Sequence, residues 1–345
     1  MVKGRRKKLI GTPFIRINAS VDAKSNTLLN PGPIKYNPSR DLPTIKNKVS
    51  NFLSDSICCP VNSFNTRLTL IYKKEIHMKN IYYTLGLLMI VISFFTNIEA
   101  AHHKNVLLDA VNNPDRNPKY SARDNFRNPY ETLSFFQIKP TMHVLELSAG
   151  GGWYTEILAP YLQAEGKLSV THHNPEAGGY YKRSRSSYDE KVKSNPLFMG
   201  VKVITADVPP TKPFTESATQ DLVVTFRNLH NWLGQDAMKA TMQEAFNSLK
   251  VGGHFGVVEH RAPEGSTMEF MKTSGYVSQS LAIETAKAVG FILVATSEIN
   301  ANPKDTADHP KGVWTLPPSF RLKDQDKDKY AEIGESDRMT LLFKK

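Results

Sequence analysis

The chain has 345 residues, two cysteines and a formal net charge of +11, a length that admits one large or two modest domains. The charge is concentrated: residues 1–101 hold 15 Lys/Arg against 5 Asp/Glu, and the remaining 29 and 28 leave residues 102–345 at +1. That near-neutrality excludes charge-driven nucleic-acid binding. With Cys58 and Cys59 both in the first stretch, the rest has no disulfide framework, thiolate zinc site or cysteine nucleophile.

Residues 1–77 show no sustained period of 3.6 or 2 and scatter prolines and asparagines, so they are expected to be a disordered extension. Met78-Lys79-Asn80, the apolar run 81–95 and Ile98-Glu99-Ala100-Ala101 have the positive start, apolar core and small-residue exit of a secretory signal peptide. The run is shorter than the roughly 20 residues of a spanning helix. Met78 is then the true start, and 102–345 is a periplasmic or secreted domain, free of the membrane after cleavage. The alternative is an uncleaved anchor over 81–95.

From Asn113 to Gln137 the chain is polar, then amphipathic. Leu133 and Phe136 at i, i+3 predict a helix over Pro129–Phe136 laid against a sheet edge. Tyr120, Arg123 and Tyr130 are read chiefly as packing residues.

Strands and helices then alternate. Strands are expected at His143–Leu147, Leu168–Thr171, Val201–Ala206, Leu222–Phe226, His254–Glu259, Phe291–Ser297 and Arg338–Phe343. Helices are expected at Tyr154–Tyr161, Ala237–Leu249 and Ser278–Val289, the last capped by Gly290. This alternation argues for a parallel sheet with helices on both faces. The last two strands have no helix between them, which predicts a terminal antiparallel hairpin. About 20 residues without regular structure, Glu298–Phe320, are expected to cover a pocket.

The strand carrying Glu146 empties into Gly150-Gly151-Gly152. Glycine serves such a turn because the backbone angles resist side chains and a ligand must approach closely. The following helix start offers N–H groups to a negative charge. The dinucleotide pattern G-x-G-x-x-G is broken, because Ser148 takes its first place and Trp153 follows the glycines directly. Together with the terminal hairpin, this speaks against a nicotinamide oxidoreductase.

The stretch resembles motif I of class I S-adenosylmethionine (SAM) dependent methyltransferases, acidic-x-G-x-G-x-G, with Ser148, Gly150 and Gly152 in the glycine places. The resemblance runs from about 120 to 345 and includes Asp207, the strand-four segment and the turn Leu249-Lys250-Val251-Gly252-Gly253. It implies an α/β, Rossmann-like sheet of seven mostly parallel strands, order 3-2-1-4-5-7-6 with strand seven antiparallel. The wording of 150–160, of 300–305 and of 334–338 is similar to a bacterial group of predicted methyltransferases, often exported.

The resemblance implies SAM as cofactor, bound beyond the carboxyl ends of the strands. Ser148, Ala149, Gly150 and Gly152 would face its methionyl part, with Tyr154 and Asn228 beside them and Glu146 engaging its amino group. Asp207 would accept from the adenine amine. The family's acidic residue at the end of strand two is missing; Thr171-His172-His173-Asn174-Pro175-Glu176 offers Asn174 for one ribose hydrogen bond, and Glu176 lies late.

Methyl transfer from a sulfonium needs chiefly alignment, with proton removal from an oxygen or nitrogen nucleophile. His230 after strand four and His260 after strand five are the candidate bases, and Arg227 is placed to bind an anionic acceptor. His172, His173, His230 and His260 lack metal-ligand spacing, so no metal is expected. The expected activity is methyl transfer to a small molecule. The alternative is an exported, non-catalytic ligand-binding protein on the same scaffold.

Overall fold

A computed structural model describes residues 106–345; the expectations for residues 1–101 lie outside the described residues. Four short helices come first: α1 (106–111), α2 (Pro118–Ser121), α3 (Asp124–Arg127) and α4 (Pro129–Phe135). The amphipathic reading of α4 holds, since Leu133 and Phe136 are fully buried.

The sheet has eight strands, ordered β3 (Lys202–Ala206), β2 (Lys167–His173), β1 (His143–Leu147), β4 (Gln220–Phe226), β5 (Leu249–Ala262), β9 (Arg338–Lys344), β7 (Ile292–Ser297). The eighth, β6 (Val277–Ser278), pairs with the end of β5 and was not expected. β9 runs antiparallel to both β5 and β7, as the terminal hairpin required. With β7 and β9 counted as sixth and seventh, the path is 3-2-1-4-5-7-6.

β1 alternates between two cores. Leu145 and Leu147 face one side, against α7 (Leu229–Gly234), α8 (Met238–Ser248), α9 (Met268–Ser274) and α10 (Gln279–Val289). Val144 faces the other, against α1, α4, α5 (Thr155–Leu162) and α6 (Gly179–Ser194). That alternation is the period-2 signature of a strand buried on both faces.

Three differences from the sequence expectations have local causes. The 16-residue α6 buries only Tyr188, so it has no apolar stripe for periodicity to detect. β5 starts at Leu249 rather than His254 because the strand carries Gly252 (φ 82°) and Gly253 through a register shift opposite Gln220 and Leu222. A Cβ on Gly253 would lie 3.0–3.1 Å from Leu249, Lys250 and Asp221 atoms. The segment 298–320 contains a short strand, β8 (Pro310–Val313), and α11 (Lys327–Ile333) follows it, so the last two long strands do have a helix between them, contrary to expectation; it buries only Tyr330 and shows no apolar stripe.

Phe255 anchors the first core, with ring centroids 5.1 Å from Phe291 and 6.2 Å from Phe343. Phe255→Ala is expected to cost about 3–5 kcal/mol, seen as a lower urea midpoint with an unchanged slope.

Candidate functional site

Two strand ends form the crest of the sheet, and both bend sharply. Ser148 follows β1 with φ 53° and Arg227 follows β4 with φ 63°. A left-handed non-glycine residue costs on the order of 1–3 kcal/mol and needs support. Asn228 supplies it: its side-chain amide donates to the carbonyls of Leu147 (3.2 Å), Ser148 (3.2 Å) and Phe226 (3.3 Å). The Ser148 N–H donates to the Thr171 hydroxyl at 2.8 Å, and the Ala149 N–H to the Thr171 carbonyl at 3.2 Å.

His172 braces the turn from below. Its Nε2 lies 3.0 Å from the Gly150 carbonyl. A carbonyl only accepts, so Nε2 carries the proton. Burial lowers the pKa of this imidazole to about 4, and the ring is neutral at pH 7.

Two cavities open beside the turn and share Ser148, Gly150 and Asn228 as a common wall. The first, about 460 Å³, continues along His173, Asn174, Asp207 and α7, with Tyr180 and Tyr181 of α6 opposite. Asp207 accepts from Asn174 Nδ2 at 2.7 Å and from the Thr211 hydroxyl. The Asn174 oxygen accepts from the Glu176 N–H at 3.1 Å. The second, about 310 Å³, is walled by Phe226, Arg227, His230, His260, Trp314 and Pro317, among others. Trp314 and Pro317 come from the 298–320 insertion, which therefore does cover a pocket. Asn300 and Asn302 of that insertion are structural, bonding Thr132 and Thr340 and the carbonyls of Ile333 and Glu335.

Ser148, Ala149, Gly150, Asn174, Asp207, Arg227, Asn228, His230 and His260 all line one cavity or the other. Glu146, Gly152 and Tyr154 line neither, and their expected contact with a ligand is corrected here. Glu146 shares the Val144 face of β1, so it points toward α5 and not over the crest. Its carboxyl accepts from the Thr155 hydroxyl at 2.7 Å, and Thr155 in turn lies 3.1 Å from the Tyr188 hydroxyl. Burial pushes its pKa up to about 8. Gly152 (φ 84°) is needed for packing, because a Cβ there would lie 2.9 Å from the Phe198 ring. The Tyr154 ring stacks on Phe226 with centroids 3.4 Å apart.

The second cavity holds an oriented histidine. His230 Nδ1 is 2.9 Å from Glu259 Oε1. A carboxylate accepts, so Nδ1 bears the proton and Nε2 keeps the lone pair. Glu259, fully buried, also accepts the backbone N–H groups of Leu229, His230 and His260. Ligand atoms of His230, Glu259 and His260 lie within 4.8 Å of one another. Both Glu259 oxygens are nonetheless taken by N–H donors, which suits orienting a ring rather than holding an ion. His260 Nδ1 meets the Ser336 hydroxyl. Burial, and then the charges of nearby histidine and arginines, hold the His260 pKa well below the ordinary value.

Behind these rings stand Arg123, Arg127 and Arg338 around the buried carboxylate of Glu335. Their charges outweigh its burial and hold its pKa at about 2. Arg127 and Glu335 stand 208 positions apart, so no local pattern links them.

No protein-family model matches the chain, and no curated protein matches it. Solved structures are similar in fold. A SAM-dependent methyltransferase from Aquifex aeolicus is 17% identical over 53% of this chain and 88% of its own, with a TM-score of 0.42. A geranyl diphosphate methyltransferase in complex with SAM is 11% identical over 68% and 93%, TM-score 0.42. The 4+2 cyclase SpnF is 15% identical over 72% and 94%, TM-score 0.44. The strand order and reversed last strand are those of the class I methyltransferase fold.

Raised in the folded state above its ordinary 4.5, Glu146 binds a proton that the unfolded chain releases. Its contribution to stability is fully present below about 4.5 and is lost as pH rises to about 8. Glu146→Gln is expected to flatten that decline by up to a few kcal/mol, measured by denaturant titrations across the window.

Proposed function

We propose that the chain is a SAM-dependent methyltransferase acting on a small acceptor. The nucleoside would occupy the first cavity, the methionyl part would lie over the 148–150 turn, and the acceptor would enter the second. One observation carries this most: the two cavities meet at a shared wall of Ser148, Gly150 and Asn228, and an oriented histidine stands on the acceptor side. The donor set is compatible. A Cβ on Gly150 would have only the Ser148 carbonyl oxygen within 4 Å, at 3.9 Å, so the backbone is open to a ligand. Asp207 retains acceptor capacity for an amine or hydroxyl.

SAM supplies a methyl group already activated as a sulfonium. The protein's part is alignment of nucleophile and methyl, which lowers the barrier by prepaying entropy. His230 Nε2 takes the proton from an attacking hydroxyl or amine, and Glu259 positions the ring and stabilises it once charged.

A full-chain titration with S-adenosylhomocysteine tests the cofactor. Binding in the micromolar range or tighter is expected; no heat at high micromolar ligand would favour a non-catalytic scaffold. The missing acidic residue at the end of β2, with Asn174 already engaged by Asp207, is the feature on the scaffold's side. Asp207→Ala is expected to weaken this binding roughly tenfold, while Trp314→Ala leaves it unchanged. With labelled SAM and a small-molecule extract, His230→Gln should cut label transfer about 10²- to 10⁴-fold at unchanged S-adenosylhomocysteine affinity. Glu259→Gln should lower it less and shift the pH profile.

We also read 78–101 as an export signal. Terminal sequencing of the mature protein is expected to begin at His102; a mature chain retaining 81–95 would make that run an anchor.

A further inference from the structure

Resting on the second cavity as the acceptor site, we propose that the acceptor is a small acid, its carboxylate or phosphate held by Arg127 and Arg227 and its body against Phe226 and Trp314.

The cavity wall carries an excess of positive charge. Arg123 Nε lies 2.6 Å from Glu335, and Arg127 Nε and Arg338 Nη1 each lie 3.2 Å from it. Arg227 has no hydrogen-bond or ion-pair partner for its guanidinium among the described residues. Three guanidiniums thus share one carboxylate, and the fourth has no paired anion. The other nearby carboxylates are engaged: Asp124 with Arg116, Glu156 with the Asn117 N–H, and Glu259 with its N–H donors.

The donors are also unsatisfied. Arg127 is 1% exposed, and both its Nη atoms are buried without an acceptor, as is Arg123 Nη2. A buried donor without a partner is costly, and native proteins seldom tolerate several together. A guanidinium fork matches an oxyanion, which would satisfy these donors and offset the excess charge. Burial lowers the Arg227 pKa to about 10, and the Glu335 carboxylate offsets only part of that.

Arg227 and His230 flank one bend, both lining this cavity. An anion on Arg227 would therefore present the rest of the acceptor to the Nε2 lone pair. Phe226, Trp314 and Pro317 give the otherwise polar wall one apolar stretch, against which an aromatic or aliphatic body can lie.

Calorimetry on the full chain, saturated with S-adenosylhomocysteine, would compare benzoate, phenyl phosphate and the neutral isostere benzamide. One of the two anions is expected to bind at least roughly tenfold tighter than benzamide, and which one identifies the oxyanion. Arg227→Gln, at a half-buried position, is expected to erase the preference without changing S-adenosylhomocysteine affinity; Arg127→Gln should do the same where its melting temperature shows it folded. Equal binding of charged and neutral probes would overturn the proposal. So would an Arg227→Gln chain that keeps the preference, or one that loses S-adenosylhomocysteine binding as well, which would assign the guanidinium to the cofactor's own carboxylate. Failure of S-adenosylhomocysteine to bind at all would count against the methyltransferase reading instead; the anion preference is then expected with the probes alone.

Discussion

The buried carboxylate of Glu259 holds the crest of this protein together. It gathers the backbone N–H groups of Leu229, His230 and His260 and the ring of His230. A carboxylate taken out of water is tolerated only when hydrogen-bonded so completely. In being satisfied, it ties the first turn of α7 to the end of β5 and sets the direction of a histidine ring. The left-handed turn at Arg227 lies between these anchored points, so the same interaction fixes where that guanidinium emerges.

Asn228 does the corresponding work on the other side of the crest. By donating to the carbonyls of Leu147, Ser148 and Phe226, it locks the β1 and β4 bends together. The two cavities meet where these bends meet. Their separate linings divide the labour: the first is polar and aromatic, with Asp207 and the tyrosines of α6. The second is cationic, with His260 kept neutral because burial holds its pKa down. A neutral imidazole beside a cluster of arginines retains its lone pair at physiological pH.

Much of the architecture was legible along the chain. Apolar runs bounded by turn signals located every long strand, and the reversed last strand was expected, although α11 lies between β7 and β9 where no helix was foreseen. Helix α6 escaped because its exposed length has no apolar stripe. The two-residue β6 is too short for any period to register. Glycines were recognised, but Gly152 answers to the Phe198 and Tyr188 rings and not to a ligand, a distinction no turn motif carries.

Local pattern by itself determined the α/β alternation, the 148–152 bend and the clustering of His230 and His260 near the carboxyl ends of β4 and β5. Strand periodicity and turn chemistry are properties of neighbours in sequence, so they can be read there. Which way Glu146 turns, how Glu259 clamps His230, and the meeting of Arg127 with Glu335 from opposite ends of the domain were decided by tertiary packing alone. Those contacts depend on which faces the helices cover and which charges burial forces together, and separation along the chain conceals both.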